Sequence, residues 1–270
     1  MAKLFLGTKE SSPVVKTTVV ENKKKFGLTI DNFLGDADEN GDYIESGGNF
    51  DFVGEGIKII KNKFNRTFYN NKGIRKFIMP DLVEAHSCFS ELLKNTNAIE
   101  FSLPKCVILT TSGEILNSST KLQTVNLENV EYLGGTCYCM FYGSNNQLTN
   151  TGLKKVKVLG YGNQPTTQTG WRMYQGNKNI TKTGLESIEE IQGSVQSMFN
   201  GCVGLTKEYF PFLTKFSGNI ALGTNGSFMF QGCTNLTEIH FRTDVQAIIE
   251  TMTGYSERFG AVNATIYFDL

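Results

Sequence analysis

The sequence predicts a mixed α/β, β-rich solenoid of short parallel strands with an irregular convex side and protruding loops, preceded by a short N-terminal arm. Three observations carry this reading. A nine-residue motif occurs twice at a fixed offset, and a shorter apolar pattern returns along most of the chain. Twenty-eight glycines against five prolines, with many Asn and Thr, point to many turns joining short strands.

The totals narrow the function classes. With 270 residues there is ample material for a core. Twenty-six basic and 26 acidic residues give zero formal net charge, against the basic excess of a nucleic-acid binder. Aromatic content of 11% marks a chain that folds. No segment approaches the roughly 18 apolar residues that cross a bilayer. The apolar run Leu4-Phe5-Leu6 is too short for a secretory signal of roughly 7–15 residues. The expectation is a chain that stays inside the cell when made, or one whose removable signal has been lost.

Residues 1–56 lack the repeat and read as an attachment arm. Lys3–Gly7 and the stretch from Val14 to Val20 are strand candidates, and Lys23-Lys24-Lys25 is a solvated turn. Phe26 to Leu34 reads as a strand entering a short helix. Asp36, Asp38 and Asn40, followed by Gly41, match the first half of a calcium loop. Its twelfth position is Gly47 where a bidentate Glu is required, so an acidic Asn-Gly turn is favoured over a bound calcium.

Residues 57–270 carry the repeat. Met198-Phe199-Asn200-Gly201-Cys202-Val203-Gly204-Leu205-Thr206 returns as Met229-Phe230-Gln231-Gly232-Cys233-Thr234-Asn235-Leu236-Thr237, with six of nine positions identical at an offset of 31. The closing leucine opens an apolar-x-x-apolar-x-apolar run such as Leu236-x-x-Ile239-x-Phe241 and Leu122-x-x-Val125-x-Leu127. Counterparts begin at Ile74, Ala98 and Leu153, and less cleanly at Leu185 and Leu205, where Glu190 and Glu208 fall at apolar positions. The second half of each run is a short strand with alternate side chains inward. The Phe plugs the layer from the convex side, and the Gly permits a tight corner. Cys88-Phe89 and Cys139-Met140-Phe141-Tyr142-Gly143 read as degenerate plugs. No repeat buries its apolar face alone, so the copies stack. Stretches 142–152, 160–180 and 216–227 read as protruding loops, and Ala264 to Phe268 as a closing strand.

The run Phe230-x-Gly232-Cys233-x-x-Leu236-Thr237-x-Ile239 resembles the BspA-type leucine-rich repeat, known from bacterial surface proteins and phage structural genes. The likeness spans about 57–270. The opening Met-Ala-Lys-Leu-Phe-Leu-Gly resembles short anchor segments of phage tail and fibre proteins. Together they imply a non-enzymatic virion component, a head or tail fibre or decoration protein. It would attach to other virion proteins or subunits through residues 1–56 and display its repeats to a host surface protein or glycan. The alternative is a bacterial cell-surface adhesin or binding module. A fibre role implies a homo-oligomer, for which a trimer is suited.

Outward strand positions are the binding candidates: Lys76, Glu100, Asn126, Lys155, Lys157, Glu238 and His240. Such mixed polar ladders suit contact with a protein or glycan. Catalysis has little to work with. His86 and His240 lack a suggestive neighbour, and no glycine-rich phosphate loop follows a strand. Glu100, Glu128, Glu189 and Glu238 leave a glycan-cleaving fibre as a third reading. No cofactor is expected. The six cysteines lack zinc-site spacing and read as free, buried thiols, with disulfides left open.

Overall fold

The computed structural model describes residues 3–5, 14–19, 50–111, 113–143, 147–161, 168–217, 228–252 and 255–270. The calcium-loop candidate Asp36, Asp38 and Asn40, the lysine run and residues 26–34 lie outside them. So do 144–146, 162–167 and 218–227 of the expected loops.

The chain is a β-rich solenoid. Among the described residues its one α-helix is the single turn α1 (Gln246–Glu250). Strands fall into three sheets. The first has the order β1 (Lys3–Phe5), β2 (Val14–Val19), β3 (Phe50–Glu55), β5 (Ile74–Ile78), β7 (Glu100–Ser102), β9 (Thr124–Asn126). The second runs β14 (Lys215–Ser217), β12 (Glu190–Gln192), β11 (Val158–Tyr161), β10 (Tyr132–Gly135), β8 (Ile108–Thr111), β6 (Glu84–Cys88), β4 (Ile59–Lys61). The third, β13 (Lys207–Phe210), β15 (Glu238–Phe241) and β16 (Thr265–Phe268), ends in the expected closing strand. Pairing from β3 onward is parallel throughout, and β1 and β2 extend the first sheet antiparallel. The parallel ladder thus begins at β3, inside the segment read from sequence as an arm.

Each coil carries two overlapping apolar runs, which corrects the repeat register. Leu122, Ile180, Leu205 and Leu236 each close the same turn, their amides donating to the carbonyls of Ser119, Asn177, Cys202 and Cys233. A second turn has the amides of Leu82, Cys106, Val130, Val156 and Ile188 donating to Met79, Leu103, Leu127, Leu153 and Leu185. Leu153 and Leu185 are therefore counterparts of Leu127, not of Leu122. The true anchors of those coils are Leu148 and Ile180, both fully buried. The first run is hidden there because its middle position is Thr151 or Thr183 instead of an apolar residue. Glu190 then needs no excuse: it lies on the second sheet and pairs with Lys215 at 2.7 Å.

A third side of stacked turns closes each coil, with left-handed backbone at recurring corners. The first corner is Arg66, Glu91, Glu114, Cys139, Arg172, Ser197 or Phe228, and the second is Asn70, Asn95, Ser118 and then Gly143, Gly176, Gly201 and Gly232. Glycine removes the Cβ penalty at that second corner, which is why the Met-Phe-x-Gly motif holds its fourth position. Residues 168–180 belong to this side and are not a protruding loop, since Met173, Tyr174 and Ile180 are fully buried.

The plugs stack along the solenoid. Rings of Phe141, Tyr174, Phe199 and Phe230 follow one another at centroid distances of 4.9, 5.6 and 5.9 Å. Near the N-terminal end, Phe52, Phe77 and Phe101 stack at 4.7 and 5.8 Å. Each such side chain contributes roughly 1.5–3 kcal/mol by burial. All six cysteines are unpaired and buried among them.

Candidate recognition surface

The outward face of the first and third sheets positions most of the expected binding residues. Lys76 on β5 lies opposite Glu100 on β7, and their charges meet at 3.2 Å. Lys207 and Glu238 repeat this arrangement between β13 and β15 at 2.7 Å. Hydrogen bonds from Lys207 and His240 hold the Glu238 carboxyl below its usual range. Asn126 ends β9. Lys155 and Lys157 are not in this row. They precede β11 of the second sheet, where Lys155 donates to Asn129 Oδ1 at 2.6 Å and Lys157 pairs with Glu131 at 3.0 Å. The half-repeat error in register placed them wrongly.

His240 faces outward as expected but is only 8% exposed, because two rings cover it. Parallel register puts Tyr209, His240 and Tyr267 side by side on β13, β15 and β16. They stack at 4.5 and 4.7 Å with interplanar angles of 14° and 15°. The imidazole Nδ1 lies 2.8 Å from Asp269 and Nε2 lies 3.2 Å from Glu238. Tyr209 and Tyr267 remain 40% and 38% exposed. The sequence held a signal for this column: aligning Leu205-x-x-Glu208 with Leu236-x-x-Ile239 sets Tyr209 beside His240.

Between β9 and β13 the strand ladder stops, and side chains take over the coil-to-coil hydrogen bonds. Thr151 Oγ1 donates to the Thr183 carbonyl at 2.7 Å. Thr183 donates through Oγ1 to Glu208 at 2.7 Å and through its amide at 3.3 Å. The Tyr174 hydroxyl crosses the core to donate to the Thr151 carbonyl. Glu208 is 2% exposed, and burial pushes its carboxyl up to about 7 against the opposing hydrogen bonds from Thr183. From sequence alone it was an irregularity in the repeat; in the fold it anchors the break.

Above this polar column the surface drops into an open trough of about 230 Å³. Gly152 and Gly184 follow the two threonines of this column with left-handed backbone, and a Cβ on Gly184 would lie 2.3 Å from Thr151 Oγ1. Gly152 and Gly184 both line the trough, together with Asn150, Thr181, Lys182, Glu128, Lys154 and Glu186. Lys154 pairs with Glu128 at 2.9 Å, while neither Lys182 nor Glu186 has an ion-pair partner among the described residues. Glu128 and Glu189 lie outside the strands, so Glu100 and Glu238 alone of the four carboxylates occupy strand positions, and each faces a lysine.

Among the described residues no group of three His, Cys, Asp or Glu could hold a metal, and no helix is long and apolar enough to cross a membrane. No protein-family model and no curated protein matches the sequence. Among solved structures, a leucine-rich repeat protein from Bacteroides ovatus is similar, with 17% identity and a TM-score of 0.42 over 78% of this chain. The chain spans about half of that protein, 52% of its length.

Proposed function

We propose that the chain is a non-enzymatic binding module that displays the outward face of its first and third sheets from a larger assembly. The observation that carries this is the face itself. Its strand charges pair across neighbours, Lys76 with Glu100 and Lys207 with Glu238, and Tyr209 and Tyr267 stay partly exposed on the same face. Such a face offers hydrogen bonds and ring surface to a partner, as extended repeat surfaces do. Its strand carboxylates are held by lysines, which favours recognition over acid–base chemistry.

The assembly is a phage particle in the reading favoured here, with the chain as a head or tail fibre or decoration protein. Support comes from the N-terminal strands β1 and β2, which add to the first sheet antiparallel and so differ in kind from the coils. The anchor-like opening of the sequence points the same way. The second reading is a bacterial surface adhesin, favoured by the Met-Phe-x-Gly-Cys-x-x-Leu-Thr pair. Antibody raised against the purified chain, applied as immunogold to phage particles and cells of the strain encoding it, separates the two. Label on particles supports the virion role and label on envelopes the adhesin, whereas label confined to the cytoplasm overturns both.

A further inference from the structure

We propose that Glu208 is a proton-held latch: its neutral carboxyl fastens residues 181–186 to β13, and loss of the proton lets that segment open locally while the solenoid stays folded. The latch is independent of the partner that the display face meets.

The fastening comes first. Residues 181–186 are not a strand, so no ladder ties them to the next coil. Thr183 does this instead. Its hydroxyl donates to Glu208 Oε2 at 2.7 Å, and its amide reaches both carboxyl oxygens at 3.3 Å. The Leu185 amide donates to the Thr183 hydroxyl at 3.2 Å, so it depends on the same group. Among the described residues, every hydrogen bond from this segment to β13 ends on the Glu208 side chain.

The setting suits the acid and not its anion. Glu208 is 2% exposed, Thr183 is fully buried, and so is Ile239, its register partner on β15. A buried carboxylate is stable only with a cation or a full set of donors. Glu208 receives the two donors of Thr183 and forms no ion pair among the described residues. Lys182 favours its charge and Glu186 opposes it, but burial is the largest influence and raises the carboxyl to about 7. Cys202 and Cys233, the two thiols that sense this charge, are pushed up by burial, Cys233 to about 12, so they stay neutral from pH 5 to 8.

The closed segment therefore holds the proton more tightly than the open one. The latch is fully fastened below about 4.5, the ordinary value, and weakens as pH rises from there through about 7. Opening has a route to water, because Lys182, Gly184 and Glu186 line the trough above. It stays local because both flanks are held elsewhere. Downstream, β12 pairs with β11 and β14. Upstream, the amides of Tyr174 and Gly176 donate to Met198 and Asn200, each at 2.8 Å.

Native-state hydrogen exchange on the full chain between pH 5 and 8 tests this, with each rate divided by that of open chain at the same pH. Protection of the Thr183 and Leu185 amides should fall by roughly 70-fold across that range. The Tyr174 and Gly176 amides should keep theirs. In Glu208→Gln the Thr183 and Leu185 amides should show no such fall; should that variant not fold, Glu208→Leu, which restores the apolar column, serves as the second non-ionising chain with the same expectation. Constant protection of Thr183 and Leu185 in the native chain overturns the latch. So does an equal fall at Tyr174 and Gly176, which would mean that the whole solenoid loosens. A fall of the same size in a folded variant that lacks the carboxyl also overturns it.

Discussion

Replacing Glu208 with Gln should remove a pH dependence of stability that the native chain carries. The carboxyl titrates near 7 when folded and near 4.5, its ordinary value, when the chain is open. The folded state therefore holds its proton more tightly across that interval. Stability from this group is fully present below about 4.5 and is lost as pH rises from there through about 7. Each pKa unit corresponds to about 1.4 kcal/mol, so the loss is on the order of 3 kcal/mol. Gln keeps one carbonyl oxygen that can accept from both the Thr183 hydroxyl and its amide, and it cannot ionise. Urea unfolding of both proteins between pH 4.5 and 8 gives the answer as a difference, which cancels Asp51 and other groups common to both. The variant should match the native chain at low pH and exceed it at pH 8. Parallel stability curves across the range would refute the reasoning, since Glu208 would then not be held in a buried setting.

Three further perturbations probe other parts of the fold. Tyr174→Phe leaves the Thr151 carbonyl buried without its donor, and a loss of about 1–3 kcal/mol is expected in urea titrations; an unchanged midpoint would mean that the bond contributes nothing. Lys76→Ala breaks an ion pair whose two members keep 35% and 26% side-chain exposure, so its cost should stay under about 1 kcal/mol in the same assay. The cysteines should resist iodoacetamide in the native chain at pH 8, because burial pushes Cys106 and Cys137 up to about 12 and Cys139 to about 11; mass spectrometry showing rapid native alkylation would contradict this.

Periodic apolar residues made the solenoid legible, because stacked coils must place them at matching depths. The plugs at Phe199 and Phe230 and the closing strand β16 were read correctly from that rule alone. The register failed where the rule was suspended. Thr151, Thr183 and Glu208 occupy core positions with polar groups that satisfy one another, and no apolar spacing can reveal such a column. Leu153 then passed for an anchor because Val156 and Val158 happened to complete the pattern. Tyr209 could be aligned with His240 through the 31-residue offset, whereas Tyr267 could not, because the closing coil is shorter and brings it to His240 from 27 positions away. Tyr174 carries a subtler message. Its neighbours in the plug column are Phe, and its extra hydroxyl reaches the Thr151 carbonyl where the strand ladder has stopped.

The interruption between β9 and β13 also has a mechanical side. Coil-to-coil hydrogen bonds run along the solenoid axis, so a pull on the two ends loads every junction in series, like links of a chain. The three junctions from β3 to β9 share that load between a strand ladder on each of two faces and the stacked turns. The junctions at Thr151, Thr183 and Glu208 keep one ladder and a few side-chain bonds, and those from β13 to β16 keep one ladder, so tension should part the solenoid beyond β9 first. Force spectroscopy would then show the coils beyond β9 opening before the doubly laddered block from β3 to β9, and a single all-at-once rupture would contradict it. The polar column that hid the repeat register thus also marks where the solenoid's hydrogen-bonded cross-section becomes thinner.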